Sequence, residues 1–267
     1  MSERKKMDIA LLLGIILIGV FTGMVTGLTG ASGVMVVVPL ASMLLGFSIH
    51  EAIGTSLLVN VISSLAISII YFIYGNVHIK LALWIALGSI VGAQLGTFFA
   101  GEIPELGLSG TFSVFMVIMG AIIWKRGLNR ESMAKIAEKA VKFKSEAQRN
   151  IVCLILGFAI GIMTGILGAG GGGMILLILI VVLGFPIHLA IGTSSLLMMI
   201  TTCSGTIGYA MQGNIRLLPS VILGISAACS GVLSAVFANR VNEQILSKVV
   251  GAVFILLGVV MTGFYFL

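Results

Sequence analysis

Small hydroxyl side chains are the groups in this sequence best suited to chemistry, and they occur twice. Gly54-Thr55-Ser56 returns in the second half as Gly192-Thr193-Ser194, and Ser195 adds one more hydroxyl to the second copy. Neutral hydroxyl donors can bind an anion and still release it, whereas a buried Arg or Lys would bind it more tightly. The two motifs therefore predict a reversible site for a small anion.

Two glycine-rich segments supply further donors, because they leave backbone N–H groups uncovered where a helix starts. They are Gly30-Ala31-Ser32-Gly33 and residues 168–173, which are separated by the same offset as the two Gly-Thr-Ser motifs. The positive end of each helix dipole would favour an anion there, although a packing role for these glycines is the alternative interpretation. The predicted substrate-binding residues are Gly30, Ser32, Gly33, Thr55, Ser56, Gly168, Gly170, Gly171, Gly172, Thr193, Ser194 and Ser195.

Other polar and glycine positions in the apolar segments receive simpler interpretations. His50 and His188 are duplicated where a loop meets a helix start, so proton coupling is one hypothesis and a satisfied interfacial histidine is the commoner case. The unduplicated Asn60 and Gln94 are interpreted as residues that join helices. Glycines spaced four apart predict close helix packing at positions 19, 23 and 27, at 88, 92 and 96, and at 157, 161 and 165.

Conventional catalytic and metal-binding patterns are absent from the apolar segments of the sequence. They hold no carboxylate pair and no Cys–His pair at ligand spacing, so we predict no catalytic residue, no metal site and no cofactor. Residues 168–173 match the GxGxxG pattern, but an apolar helix precedes them where a nucleotide-binding fold would have a strand. We therefore expect a protein that is not an enzyme, and an intramembrane enzyme is the weakest alternative.

Composition places these motifs in a membrane protein. Of the 267 residues 59% are hydrophobic and 9% are charged, whereas soluble domains carry about 25% charged residues. The charge-free segments 9–50, 52–79 and 150–215 exceed the roughly 20 residues that cross a bilayer. Eight of the 15 Lys and Arg lie between Lys125 and Arg149, so the net charge of +6 reflects topology and we predict no nucleic-acid partner.

The duplication also organises the predicted helices, since positions 19–76 and 157–214 carry the same residue at 23 of 58 aligned positions. We predict spans at 9–30, 52–74, 81–100 and 108–124, and again at 151–168, 190–211, 218–238 and 245–266. The shorter segments 34–45 and 174–183 are predicted to be re-entrant half-helices, because twelve residues reach about 18 Å across a core of about 30 Å. The fold class is thus an all-α polytopic membrane protein with two homologous repeats.

Three regions follow from this pattern: a first transmembrane repeat at 1–127, a basic amphipathic linker at 128–149 and a second repeat at 150–267. Four full spans per half give parallel repeats, with the amino terminus and the linker in the cytoplasm and 13 of the 15 basic residues inside. If the short segments cross fully, each half has five spans and the repeats are inverted. The amino terminus is then outside with 11 of 15 basic residues inside, so the charge rule favours the parallel arrangement.

In these residues the chain resembles the sulfite exporter family TauE/SafE of bacterial and archaeal membrane proteins. The resemblance rests on the glycine-rich segments, on Gly-Phe-x-x-His-x-Ala-x-Gly-Thr-Ser in both halves, and on Gly75-Asn76 with Gly213-Asn214. The first half departs from it, because Ser32, Val34 and Met35 stand where the second half has glycine, so the two half-sites are unequal. The resemblance implies transport of a small sulfur-containing anion.

We therefore predict a secondary transporter for sulfite or an organosulfonate such as sulfoacetate in the cytoplasmic (cell inner) membrane. Alternating access between the repeats is the expected mechanism. The expected partners are the small anionic substrate and the lipid bilayer, and a homo-oligomer is left open. Alternatives are an anion channel of the same fold, a transporter of another small anion and, disfavoured by the lack of membrane carboxylates, a cation transporter.

Overall fold

The part of the chain described by a computed structural model comprises residues 9–30, 32–100, 145–167 and 172–241, with six positions between 245 and 259. The regular elements in these ranges are α-helices. The first half forms α1 (Ile9–Thr29), α2 (Val34–Leu45), α3 (Ile49–Ile73) and α4 (Ile79–Ala100). The second half forms α5 (Glu146–Leu167), α6 (Gly172–Val181), α7 (Ile187–Met211) and α8 (Leu217–Ala238).

Six of these helices, all except α2 and α6, are long and apolar enough to cross a membrane. Their bounds agree closely with the predicted spans, but α5 begins at Glu146, before the predicted start at 151. An ion pair of 3.6 Å between Glu146 and Arg149 lies in the first turn of α5, so the helix continues beyond its apolar part. The predicted span at 108–124 lies outside the described residues, as does most of the span at 245–266.

The two short helices end in the same way. Gly46 follows α2 with a φ of 65°, and Gly184 lies shortly beyond the end of α6 with a φ of 67°. The next residue in each half folds back onto the helix: the Phe47 N–H donates to Ala41 O and the Phe185 N–H donates to Leu179 O. Glycine adopts this left-handed conformation without strain, which explains why both short segments stop where they do.

The central helices α3 and α7 occupy equivalent positions in the two repeats, and they run in opposite directions. Thr55 lies near the start of α3, and its hydroxyl accepts a hydrogen bond of 3.1 Å from the backbone N–H of Arg216, just beyond the end of α7. Thr193 lies near the start of α7 and accepts one of 3.0 Å from the N–H of His78, beyond the end of α3. Parallel repeats would orient α3 and α7 alike, so these directions are those of the inverted alternative.

Glycine allows α1 to pack along α8 and α4 to pack along α5. A Cβ at Gly19, Gly23 or Gly27 would collide with backbone oxygens of α8, and one at Gly88, Gly92 or Gly96 with those of α5. The facing residues advance along both helices together, from Leu223 to Gly231 and from Leu154 to Ile162, so each pair runs in the same direction. The predicted packing role of these glycine rows is confirmed.

Helices are exchanged between the two repeats. In the described residues α8 packs on α1 and α3, whereas α4 packs on α5 and α7. One group therefore consists of α1, α2, α3 and α8, and the other consists of α5, α6, α7 and α4. The two groups meet mainly along α3 and α7. The packing units of the protein thus do not coincide with its sequence repeats.

These directions define two faces of the helical layer. We name the faces after the loop residues Arg216 and His78. At the Arg216 face, α1, α3 and α8 begin and α4 and α7 end. At the His78 face, α4, α5 and α7 begin and α3 and α8 end. The amino-terminal residues therefore precede a helix that starts at one face, and the linker precedes a helix that starts at the other. In the parallel arrangement these two helices would start at the same face.

Candidate functional site

The starts of the two short helices meet in the interior. Gly172 is the first residue of α6, and a Cβ built on it would lie 2.7 Å from the backbone nitrogen of Ser32 and 3.0 Å from the carbonyl oxygen of Gly30. The glycine turn of one repeat therefore touches the helix start of the other with no room for a side chain. Gly168, Gly170 and Gly171, also predicted to bind substrate, lie outside the described residues.

Hydrogen bonds to Asn60 hold the turn before α2. Its side-chain Nδ2 donates to the Ser32 hydroxyl over 2.5 Å, and its Oδ1 accepts a bond of 3.0 Å from the Gly33 backbone N–H. The Ser32 hydroxyl also accepts a bond of 3.2 Å from the Val34 N–H, in the first turn of α2. Ser32 and Asn60 are both fully buried. The N–H groups of Gly33 and Val34, at the start of α2, are thus paired with neutral side chains.

This turn lies near the middle of the helical layer. Asn60 is close to the midpoint of α3, and α2 runs back from that level to the start of α3. A Cβ at Gly33 would lie 3.0 Å from the Thr26 hydroxyl on α1, so α1 covers the turn on another side. The elements that position the site are therefore two short helices that begin at mid-depth and the long helices around them.

The serines of the two Gly-Thr-Ser motifs differ in what they contact. The single hydroxyl proton of Ser194 has two acceptors within reach, the carbonyl of Gly30 at 3.2 Å and Ile191 O at 2.9 Å, so Ser194 touches the turn of the opposite repeat. Ser56 and Ser195 donate to Ile53 O and Ile191 O on their own helices, over 2.7 and 2.9 Å. The residues that the structure brings together are Gly30, Ser32, Gly33, Gly172 and Ser194.

The threonines of the motifs lie elsewhere, at the contacts between α3 and α7 that are described above. Each is fully buried and accepts a backbone N–H from a loop of the other repeat. The preceding glycines belong to the same contact, since a Cβ at Gly54 or Gly192 would collide with the carbonyl oxygen of Asn214 or Asn76. Sequence reasoning missed this pairing of Gly-Thr with Gly-Asn, although both motifs recur at the same offset.

The duplicated histidines lie at the two faces and not at mid-depth. The Nε2 atom of His50 is 3.2 Å from the carbonyl of Ala100 at the end of α4, and that of His188 is 3.1 Å from Ala238 O at the end of α8. Each histidine therefore joins the start of one helix to the end of the next long helix in its own repeat. Their role in proton coupling stays a prediction.

Of the two unduplicated polar residues, Gln94 joins helices as expected. Its Nε2 donates to the backbone oxygen of Ser204 over 2.6 Å and lies 3.0 Å from the Ser204 hydroxyl. Asn60 also joins helices, but it does so at the turn that carries predicted binding residues. Two features of the sequence could have indicated that Asn60 belongs to the site: it has no counterpart in the other repeat, and it lies in the middle of a span.

The chemistry open to this site is that of neutral hydrogen bonding. Its side-chain donors are hydroxyls and one amide, and the ion pair formed by Glu51 and Arg216 lies far away at the Arg216 face. Within the described ranges no three His, Cys, Asp or Glu residues are grouped so that they could hold a metal ion. A buried cluster of neutral donors next to helix N-termini can bind an anion by hydrogen bonds and helix dipoles.

A family model described as sulfite exporter TauE/SafE matches residues 15–261, which is most of the chain. The chain belongs to the sulfite exporter TauE/SafE family. It is a multi-pass membrane transporter, since this family assignment agrees with the six membrane-length helices found among the described residues. A transporter family is not a class of enzymes.

Relatives of this TauE/SafE protein include three proteins of Bacillus subtilis (strain 168). The probable membrane transporter protein YdhB is 26% identical over 242 residues, which cover 88% of this chain and 94% of YdhB. The probable membrane transporter protein YunE is 24% identical over 263 residues, which cover 91% of this chain and 94% of YunE. YjnA, with the same description, is 23% identical over 253 residues, which cover 88% of this chain and 95% of YjnA. No solved structure matches this chain significantly.

Proposed function

We propose that this protein is a secondary transporter that carries a small sulfur-containing oxyanion, such as sulfite or sulfoacetate, by alternating access. The observation that carries the proposal is the meeting of both repeats at mid-depth, where the Gly30–Gly33 turn and Gly172 are in contact. Substrate sites of transporters built from repeats are commonly found at such broken helices. The description of the family as sulfite exporters favours a sulfur-containing anion.

The substrate would bind at the start of α2, close to Gly172. The Ser32 hydroxyl, the Asn60 amide and the N–H groups of Gly33 and Val34 are the donors that surround this point. An oxyanion entering there would share these donors, and the positive dipole ends of α2 and α6 would lower its free energy. Because the donors carry no formal charge, the anion can leave again once the site opens to the other side.

Movement of the two helix groups against each other would give alternating access. The group of α1, α2, α3 and α8 and the group of α5, α6, α7 and α4 share an interface that runs mainly along α3 and α7. Contacts join the two groups at both faces: Gly54 in α3 lies against the carbonyl of Asn214, which follows α7, and Gly192 in α7 lies against that of Asn76, which follows α3. Breaking one contact at a time would expose the mid-depth site to one face at a time. The moving bodies in this proposal are the exchanged helix groups, whereas sequence alone suggested the repeats.

The His78 face is the proposed cytoplasmic side. In this proposal the segment from Lys125 to Arg149, with eight basic residues, would lie at this face together with Lys80 at the start of α4 and Arg240 just beyond α8. Lys248 follows Arg240 in the chain, so 11 of the 15 basic residues belong to this side. Cytoplasmic loops carry the excess of Lys and Arg, which assigns the amino terminus to the outside.

Flux into liposomes tests the proposal. Purified protein is reconstituted, and uptake of labelled sulfite and labelled sulfoacetate is measured with and without an imposed pH gradient. We expect uptake of at least one of them to saturate with concentration, and a response to the gradient would identify proton coupling. Gly33→Val should abolish the flux, because its side chain would fill the space beside Thr26 and Asn60.

The matched control is Gly14→Ala, since a Cβ at Gly14 meets no atom of the described residues within 4 Å and flux should be retained. Flux that rises linearly without saturating would favour the channel alternative. Folded protein without flux of either anion would contradict the proposed substrate class.

A further inference from the structure

The mid-depth site has one half from each repeat, and the two halves differ in the side chain at one equivalent position. Asn60 in α3 corresponds to Met198 in α7 when the two Gly-Thr-Ser motifs are aligned. We propose that Asn60 is a positioning residue that makes the first-repeat half of the site the one that binds the oxyanion. This inference rests on the proposed function and adds to it an orientation of the bound substrate.

The contacts of Asn60 support a positioning role. Its amide uses both ends on the same turn, because Oδ1 accepts from the Gly33 N–H and Nδ2 donates to the Ser32 hydroxyl. An amide fixed at both ends sets the orientation of Ser32, and the hydroxyl proton of Ser32 stays available for donation to an anion. The second N–H of Nδ2 is one more donor at the same place. Asn60 is fully buried, so water does not compete for these donors.

Met198 gives the opposite half a different character. A Cβ at Gly172 would lie 2.7 Å from the Met198 sulfur and 2.7 Å from the Ser32 nitrogen, so Gly172 separates the two. A thioether donates no hydrogen bond and accepts only weakly, so it cannot fix a turn as Asn60 does. The oxygens of a bound sulfur oxyanion would therefore lie toward Ser32 and Asn60. Its less polar portion, the sulfur lone pair of sulfite or the carbon chain of a sulfonate, would lie toward Met198.

Matched substitutions at the two equivalent positions test this inference in the liposome assay. Asn60→Leu should raise the KM for sulfite by about tenfold, the factor for one lost hydrogen bond to a charged group. Met198→Leu, which keeps an apolar side chain at the equivalent position, should raise that KM less than Asn60→Leu does, since no hydrogen bond is lost, and Gly14→Ala is the control for an unchanged KM. Vmax and the unfolding temperature in detergent are measured for each variant, because a purely structural role would lower both.

A second variant keeps the test valid if Asn60→Leu does not fold. Asn60→Asp retains the shape of the side chain, and in its protonated form it retains a donor to Ser32. Ionisation at higher pH would place a negative charge beside the anion, so the KM of this variant should rise with pH more steeply than that of the wild type. A structural role would instead lower the unfolding temperature without a selective change in KM.

A double substitution examines whether Asn60 acts through Ser32. Ser32→Ala combined with Asn60→Leu should raise KM no further than the larger single effect, because both remove the same contact. Asn60→Leu with KM within twofold of the wild type, or Met198→Leu with an equal rise, would overturn the inference while leaving the proposed function intact. A wild-type protein that neither moves sulfite or sulfoacetate nor is stabilised by them against unfolding would overturn both.

Discussion

The loops at the Arg216 face and at the His78 face occupy equivalent positions but carry different side chains. At the Arg216 face the guanidinium of Arg216 forms an ion pair of 2.8 Å with Glu51, and it lies 5.9 Å from the ring centre of Phe47. At the His78 face the ring of His78 lies 5.4 Å from that of Phe185. The residue that corresponds to Glu51 is Leu189, so an ion pair is not available there.

The backbone contacts, in contrast, are the same at both faces. Thr55 and Thr193 accept loop N–H groups over 3.1 and 3.0 Å, and the glycine before each threonine lies against the carbonyl of an asparagine in the same loop. The duplication therefore preserves the contact that joins the helix groups, and charge distinguishes the faces. The Arg216 face holds an ion pair between the starts of α3 and α8, whereas the His78 face holds an aromatic contact and the hydrogen bond of 2.7 Å between Asn76 and Asn239.

The largest effect is expected where the two faces are alike. Gly54→Ala and Gly192→Ala should each destabilise the protein by about 1–3 kcal/mol, because the added methyl group overpacks a contact with a backbone carbonyl. Thermal unfolding in detergent measures the change, and Gly14→Ala serves as the control in open space. If only one of the two variants loses stability, the two contacts are not equivalent.

A smaller effect is expected from the ion pair at the Arg216 face. Glu51→Gln should favour local opening of the loop between α7 and α8 by about 0.5–1 kcal/mol, because Arg216 and Glu51 are 57% and 24% exposed and solvent weakens their attraction. Glutamine can still accept the hydrogen bond from the Ser48 N–H in the capping box, so the start of α3 is retained.

Opening is measured by the reaction of a water-soluble maleimide with Ala52→Cys, in protein whose three natural cysteines are replaced. Ala190→Cys is the matched probe at the His78 face, and both alanines are fully buried. Faster labelling of Ala52→Cys alone is the expected result. Equal acceleration of both probes would show that Glu51 stabilises the whole fold and not one face.

The smallest effect is expected from transferring the ion pair to the other face. His78→Arg combined with Leu189→Glu should slow the labelling of Ala190→Cys by about twofold, since a new exposed pair contributes about 0.5 kcal/mol. Loss of the acceptor that His78 Nδ1 offers to the Leu81 N–H, over 3.4 Å, partly offsets the gain. Faster labelling of that probe would contradict a stabilising role for the pair.

Much of the fold could be predicted from the sequence because local patterns specify it. Glycine marks both ends of α2, and its bounds agree with the predicted segment 34–45. The spacing of the glycine rows predicted close helix packing, and the structure shows which helices pair. In the candidate site, Gly172 and the Gly30–Gly33 turn, which the sequence marked as two glycine-rich segments, are in contact. The binding role of these residues stays a prediction.

The sequence by itself determined a duplicated, helical membrane protein with two short helices, since apolar length, glycine spacing and repetition are local properties of the chain. Only the tertiary structure decided the directions of α3 and α7, the exchange of α4 and α8 and the partners of Thr55 and Thr193. An apolar span has the same hydropathy in either direction, so only a few loop charges indicate its orientation. A hydroxyl in a span likewise does not reveal its partner, because the nearest donor can come from a loop of the other repeat, far away in the sequence.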